Sequence, residues 1–531
     1  MYRSRFASGF SILFVAILTA IISCNRPAKD DTTVKEIQPW LDEISIDQLQ
    51  KGYKEGKFTI RDVVEDYLER IAEIDRKGPQ LSSIIQINPD AIKIAEELDK
   101  ERIAGRIRGP LHGIPVVLKD NIDTHDKMPN TAGATALRNS FPASDSWVAR
   151  KLKDAGAIII GKTNLSEWAN FRSKISSSGW SGVGGQTKNP YVLDRNPCGS
   201  SSGSGVAVSA NLCVLAIGTE TNGSIVCPSN NNGIVGLKPT VGLISRAGII
   251  PISFTQDTPG PMGRSVKDVA ICLGLLTGID PSDSKTLSSA GSFQTDYTKF
   301  LNPDGLRGKR IGLLKSSMGF HHKVDTLMMR TVAWLKSQGA EVIELQFSLD
   351  ESIENASMEV MLYEFKDGLN KYFRSLGNEA PVKSLEELIR FNKSDSVELR
   401  YFDQALLEKA QQKGDLGSPE YKEALAKMMK GTREEGIDKL LFENRLSAIM
   451  VPTGAPAWKT DLIDGDLYLG GNSSLAAISG YPNITVPMGF IDELPVGVSF
   501  FGRAWSEPIL LEIAYAFEQG TKARKPPKFL K

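Results

Sequence analysis

The stretch Gly156-Ala157-Ile158-Ile159-Ile160-Gly161-Lys162-Thr163 decides the fold, because it satisfies G-x-x-x-x-G-K-[ST], the pattern of a phosphate-binding loop. In such a loop the strand ends before the first glycine, and the variable residues bend around an anion with their N–H groups exposed. Here those residues are Ala157 and three consecutive isoleucines. Side chains branched at Cβ favour a strand, and no loop is left to hold phosphate. The segment is read as a strand of an α/β protein, its resemblance to a nucleotide site accidental.

Working outward, the charged helix ARKLKDAG (149–156) leads into that strand, and Ile46–Ile74 and Pro89–Arg106 carry apolar residues at helical spacing. Ile114–Leu118 is a short β-like run. The middle, Pro197–Thr258, is rich in Gly and Ser but is punctuated by the strands VLAIG (214–218) and GIVGLKP (233–239). Leu306–Leu314, Val324–Ser337 and Ala340–Leu345 repeat a strand-helix-strand pattern. Ser348–Asn444 is charged and helical, with breaks at Gly377 and Gly414, and is expected to form an insertion over one edge of the sheet. Leu446–Val451, Ile484–Pro487 and Val496–Phe501 return to strands before a closing helix, Glu507–Gln519. Helices and strands interleave throughout. The expectation is one large α/β domain over residues 41–531, a mixed β-sheet covered by helices in an α/β/α sandwich, with the helical insertion at about 348–444.

Lys plus Arg and Asp plus Glu both total 63 in the 531 residues, so the formal net charge is zero. A nucleic-acid partner is not expected, since no dense basic run is present. The four histidines, His112, His125, His321 and His322, have no metal-site spacing. The adjacent pair is expected to point its side chains apart.

At the N-terminus, Arg3 and Arg5 precede the apolar run Phe10–Ile22. That run is shorter than the ~20 residues that span a bilayer, and it fits a secretory signal. Ile21-Ile22-Ser23-Cys24 resembles a bacterial lipobox, which implies lipidation of Cys24. The expectation is a lipoprotein signal over 1–23, a polar tether over 24–40, and export to the cell envelope with the membrane as a partner. Of the other cysteines, Cys213 and Cys272 sit in apolar runs and read as buried thiols. An even number of cysteines in an exported chain allows two disulfides, but no disulfide framework is legible.

Three segments carry chemistry. In GPLHGIPVVLKDNID (109–123), Lys119 ends an apolar strand, where desolvation lowers a lysine pKa towards that of a usable base. The run NPCGSSSGSG (196–205) reads as a flexible loop or as a tight turn lined with hydroxyls. In GTETNGSIVCP (218–228), small residues before Ser224 let backbone N–H groups gather around a developing oxyanion.

Together and in this order, the three segments resemble the amidase signature family. The similarity runs from about Leu49 to the C-terminus and includes NSSLAAISGYPNITVPMGF (472–490) and LPVGVSFFGRAWSE (494–507). The resemblance implies Ser224 as nucleophile, Ser200 as a bridging serine on a cis peptide, and Lys119 as the base. It further implies an oxyanion hole from the backbone N–H groups of Thr221, Asn222, Gly223 and Ser224, with no metal and no organic cofactor. Two positions depart from the commoner family ending G-G-S-I-R: Asn222 stands for the first glycine and Val226 for the arginine. The flanking WSGVGGQTKNP (180–190) and SRAGIIPISFTQDTPGPM (245–262) are similar to bacterial peptide amidases, which release ammonia from C-terminally amidated peptides and carry Asp where this chain has Asn222. Fatty-acyl or aryl amides are the alternative substrates of the same chemistry. One component of a tRNA-dependent glutamine amidotransferase is a further alternative, which the export signal disfavours.

Overall fold

Strand β3 (Ile158–Thr163) runs straight through the phosphate-loop look-alike, so the GKT triplet is strand and not loop. Lys162 is fully buried, and its amine donates to the Ile122 carbonyl. Burial lowers its pKa, against the pull of the Asp120 and Asp123 carboxylates. Gly161 is needed because β1 (Ile84–Ile87) crosses it closely: a Cβ at this position would lie 2.4 Å from the Gln86 carbonyl oxygen.

The computed structural model describes residues 39–377 and 380–531. The predicted signal, Cys24 and nearly all of the tether lie outside the described residues. Besides β1 and β3, the strands of the main sheet are β2 (Pro115–Lys119), β4 (Leu215–Glu220), β5 (Val235–Lys238), β6 (Thr258–Gly263), β7 (Arg310–Leu314), β8 (Glu341–Leu345), β9 (Ala448–Pro452), β10 (Asn483–Ile491) and β11 (Leu494–Phe501). They form one mixed sheet in the order β1-β3-β2-β4-β6-β5-β10-β11-β9-β7-β8. Pairing is parallel for β3-β2-β4 and for β9-β7-β8, and antiparallel from β4 across to β9.

Helices α1 (Ile46–Glu55), α2 (Ile60–Arg70), α3 (Ala91–Ile103) and α4 (Trp147–Asp154) precede β3. The single helical stretch expected over 46–74 divides, because Gly56 caps α1 in a left-handed conformation and Thr59 caps the start of α2. Helices α5 (Ser202–Ser209) and α6 (Val226–Asn231) follow the two Gly/Ser segments, and α7 (Val266–Leu276) follows β6. Helix α8 (His322–Ser337) joins the parallel pair β7 and β8. The imidazoles of His321 and His322 do not diverge as expected. They stack with centroids 5.5 Å apart, because the Val324 N–H at the start of α8 donates to His321 Nδ1 and holds that ring at the cap.

The insertion contains α9 (Glu351–Ser375), α10 (Leu385–Ser394), α11 (Ala405–Gln411), α12 (Pro419–Thr432) and α13 (Asp438–Asn444). Near one sheet edge, Ile437 and Leu441 pack with Leu345. Most of the insertion instead covers the loops beyond the strand ends: Phe365, Leu369 and Phe373 of α9 share a core with Trp168, Phe171, Ile250 and Ile252. Buried Glu364 fastens this contact by accepting three hydrogen bonds from the facing loop. They come from the Thr255 N–H at 3.1 Å and from the Ser253 and Thr255 hydroxyls at 2.5 Å. Helix α14 (Ser474–Ser479) precedes β10, and α15 (Glu507–Thr521) is the last helix.

Gly161→Ala should lower the urea midpoint by the equivalent of ~1–3 kcal/mol, the usual cost of overpacking. An unchanged midpoint would show that β1 and β3 have room to part.

Candidate active site

The parallel register sets Leu118 of β2 beside Ile217 of β4, so Lys119 and Thr219 emerge together at the carboxyl ends of adjacent strands. Ligands bind at such strand ends in α/β sheets. Lys119 is fully buried. Its Nζ lies 2.6 Å from Ser200 Oγ, 2.9 Å from Thr219 Oγ1 and 3.2 Å from the Thr219 carbonyl oxygen. Asn121 Nδ2 donates to the same Thr219 hydroxyl at 3.0 Å.

Burial pushes the Lys119 pKa down to about 7, while the Asp257 and Glu220 charges oppose the shift. A neutral amine has two N–H bonds and one lone pair. The two oxygens of Thr219 can take the N–H bonds, which leaves the lone pair facing the Ser200 hydroxyl. The same three oxygens satisfy all three N–H bonds when the amine is protonated, so the pocket serves both states.

Ser200 follows the Gly199–Ser200 peptide, which is cis. Its carbonyl accepts from the Ser166 N–H at 3.1 Å. Next to it, the Ser201 N–H donates to the Ser224 carbonyl at 3.2 Å, and the Ser201 hydroxyl donates to the Thr219 carbonyl at 3.1 Å. The Gly/Ser segment is therefore a tight turn stitched to the Ser224 segment, and the flexible-loop reading does not hold.

Ser224 lines a cleft of about 870 Å³ together with Ser200, Thr221, Asn222 and Gly223. Ile225 and Val226 donate their N–H groups to one Glu220 carboxylate oxygen at 2.8 and 3.1 Å. The N–H groups of Thr221, Asn222, Gly223 and Ser224 meet no acceptor among the described residues, which is what a hole for an oxyanion requires. Gly223 holds a left-handed φ of 82°, and a Cβ there would fall 2.9 Å from Ser473 Oγ. Asn222 needs no such conformation. Its side chain is held by Ser473 and Ser474, which line the same cleft, accepting from the Ser473 hydroxyl at 2.7 Å and donating to Ser474 Oγ at 3.3 Å.

At the position of the absent arginine, Val226 is buried as the first residue of α6. Lys238 is buried, and burial lowers its pKa to about 8 against the pull of Glu220 and Glu507. Asp257 accepts from the Thr221 hydroxyl at 2.6 Å and from the N–H groups of Ile252 and Ser253. Burial raises its pKa to about 6.

Cys198 and Cys227 form a disulfide that joins the Ser200 turn to the helix after Ser224. The pair closes a separation of 29 residues, worth about 3–4 kcal/mol on the chain-entropy account. Cys213 and Cys272 are buried free thiols, as the sequence indicates. Asn121, Ser201, Thr219, Glu220 and Asp257, to which the sequence assigns no role, hold the assembly. Thr219 and Glu220 lie in the GTET motif itself, a signal that could have found them. Among the described residues no cluster of His, Cys, Asp or Glu could hold a metal, and no helix is long and apolar enough to cross a membrane.

A buried amine, serine hydroxyls and unpaired N–H groups gathered at one cleft are the equipment of acyl-transfer chemistry. The family model described as Amidase matches residues 62–511, and the chain belongs to that family. Peptide amidase from Stenotrophomonas maltophilia superposes with a TM-score of 0.89 at 48% identity, covering 93% of this chain and 100% of that one. A probable amidase of Arabidopsis thaliana is 41% identical over 498 residues, 92% of each chain. A glutamyl-tRNA(Gln) amidotransferase component of Rippkaea orientalis is 34% identical over 495 residues, 88% of this chain and 96% of that one.

Glu220 favours the protonated form of Lys119. Glu220→Gln keeps an acceptor for Ile225 and Val226 but removes the charge, so the Lys119 pKa should fall. The acid limb of the kcat/KM profile should then move to lower pH; an unmoved limb would show that Glu220 acts only as a brace.

Proposed function

We propose that this amidase hydrolyses C-terminal carboxamides of peptides through Ser224, Ser200 and Lys119. The observation that carries the chemistry is the buried Lys119 amine, 2.6 Å from Ser200 Oγ and with its pKa lowered to about 7. Neutral Lys119 takes the Ser200 proton while Ser200 takes that of Ser224, and Ser224 Oγ attacks the amide carbon. The tetrahedral oxyanion is received by the N–H groups of residues 221–224. The proton then returns along the same relay to the departing nitrogen, which leaves as ammonia. Water repeats the sequence on the acyl-enzyme, giving the peptide acid and free Ser224.

The preference for peptide amides is supported by the full-length likeness to a peptide amidase and by a cleft volume well beyond that of a small amide. We further propose an exported enzyme, held at a membrane by lipid on Cys24. The sequence of the N-terminal segment supports this reading, and so does the Cys198–Cys227 disulfide, a bond at home in oxidising compartments.

Ammonia release from peptide amides, fatty amides, aryl amides and free glutamine tests the substrate assignment, with Ser224→Ala as blank. Peptide amides are expected to dominate, and release confined to another class would move the assignment. Lys119→Ala should lower kcat by ~10²–10⁴-fold. Because the neutral amine is the active form, wild-type kcat/KM should rise with pH through about 7. Normal turnover in Lys119→Ala would exclude it as the base.

A further inference from the structure

Two loops, 173–178 and 461–471, contribute Lys174, Ile175, Asp464, Asp466 and Tyr468 to the lining of the cleft of about 870 Å³. The loops are built as one rim. The Asp466 N–H donates to the Ser176 carbonyl at 3.0 Å. The Asp466 carboxylate accepts from the Ser178 hydroxyl at 2.6 Å and N–H at 3.0 Å, from Trp458 Nε1 at 3.0 Å and from Asn196 Nδ2 at 3.1 Å. Tyr468 meets Trp458 edge to face with centroids 5.4 Å apart.

On these loops large apolar side chains face water: Ile175 (58% exposed) and Tyr468 (48%) line the cleft, while Ile463 (84%), Leu467 (71%) and Leu469 (51%) lie on the same 461–471 loop outside its lining. Scattered exposed apolar side chains need no explanation, but those that line a ligand cleft mark a contact surface. The cleft itself is walled on its insertion side by Met358, Met361 and Leu406, with Phe171 and Ile252 beside them.

We infer that the rim receives the residues of a peptide substrate that lie upstream of its amidated C-terminus, and that it selects apolar side chains there. This rests on the peptide-amide reading above and deepens it. Continuity carries the choice of occupant: Ile175 and Tyr468 line the same cleft as Ser224, and that cleft is too large for one residue to fill. Water leaves both the rim and the substrate side chains on contact, which gives the affinity. The backbone and carboxylate bonds of Asp466 keep the rim in place before binding, so little ordering is needed.

The test compares acetyl-Phe-Leu-Leu-amide with acetyl-Ser-Gly-Leu-amide, which share a C-terminal residue. Wild type should prefer the apolar peptide by about tenfold or more in kcat/KM, mainly through KM. The double variant Ile175→Ser/Tyr468→Ser, at the two apolar side chains by which these loops line the cleft, should lose most of that preference. Phe442→Ser, which removes an 85% exposed ring outside the cleft lining, should keep it. No preference in wild type, or one that survives the double variant, would overturn the inference. The same holds if the double variant loses only sedimentation with phosphatidylglycerol–phosphatidylethanolamine vesicles, since the surface would then face lipid. Calorimetric binding of acetyl-Phe-Leu-Leu acid to the Ser224→Ala protein reads the rim without turnover. Rim-dependent binding with no peptide amide hydrolysed would sink the proposed substrate and keep the rim. Absence of binding would sink the rim.

Discussion

A lysine amine with no carboxylate in contact, buried at the end of a strand, is the constraint on which this site depends. Taking an ammonium out of water is costly, and proteins meet that cost by lowering the pKa rather than by holding the charge. Lys119 is fully buried among oxygens that accept hydrogen bonds but carry no formal charge: the Ser200 hydroxyl and the two oxygens of Thr219. An ion pair in their place would hold the amine protonated and remove its use as a base. The nearest charges, Asp257 and Glu220, act on it from beyond that shell, and their pull is smaller than the effect of burial.

The rest of the site serves to keep the hydroxyls aimed at that amine. Parallel pairing of β2 with β4 delivers Lys119 and Thr219 side by side. The Ser201 contacts and the Cys198–Cys227 bond lock the Ser200 turn to the Ser224 segment. Glu220 gathers the N–H groups of Ile225 and Val226, whereas the four N–H groups before them meet no acceptor among the described residues. Helix α9 then roofs the loops at the strand ends, with Glu364 as its polar anchor and Phe365 and Phe373 as its apolar ones. The sheet thus places Lys119 and Thr219, the turns beyond it place Ser200 and Ser224, and the insertion adds one apolar wall of the cleft through Met358, Met361 and Leu406.

Much of this was legible in the residues because local preference and global fold agree. Three isoleucines in a row exclude a phosphate loop, and β3 indeed continues to Thr163. The three segments around Lys119, Ser200 and Ser224 bring the candidate groups to one cleft, with Lys119 and Ser200 in contact. What was not legible depends on contacts between distant parts of the chain. Nothing local in Cys198 or Cys227 announces their bond, whereas the apolar neighbours of Cys213 and Cys272 do announce burial. Glu220 reads as an ordinary strand end until the turn folds back over it. The insertion's helices follow from periodicity, but their seat on Trp168, Phe171 and Ile250 is set by side chains more than a hundred positions away. Asn222 looked like an intrusion into the oxyanion turn, yet its ordinary φ and its contacts with Ser473 and Ser474 make it compatible.

In the proposed mechanism the uncharged Lys119 amine activates Ser224 through Ser200. The decisive experiment is the rate of Ser224 acylation by a serine-directed probe as a function of pH, with the label located by peptide mass mapping. A single label on Ser224 is expected, at a rate that climbs through about pH 7 and collapses in Ser200→Ala. A label on another residue, or a Ser224 rate indifferent to pH and to Ser200, would refute the relay.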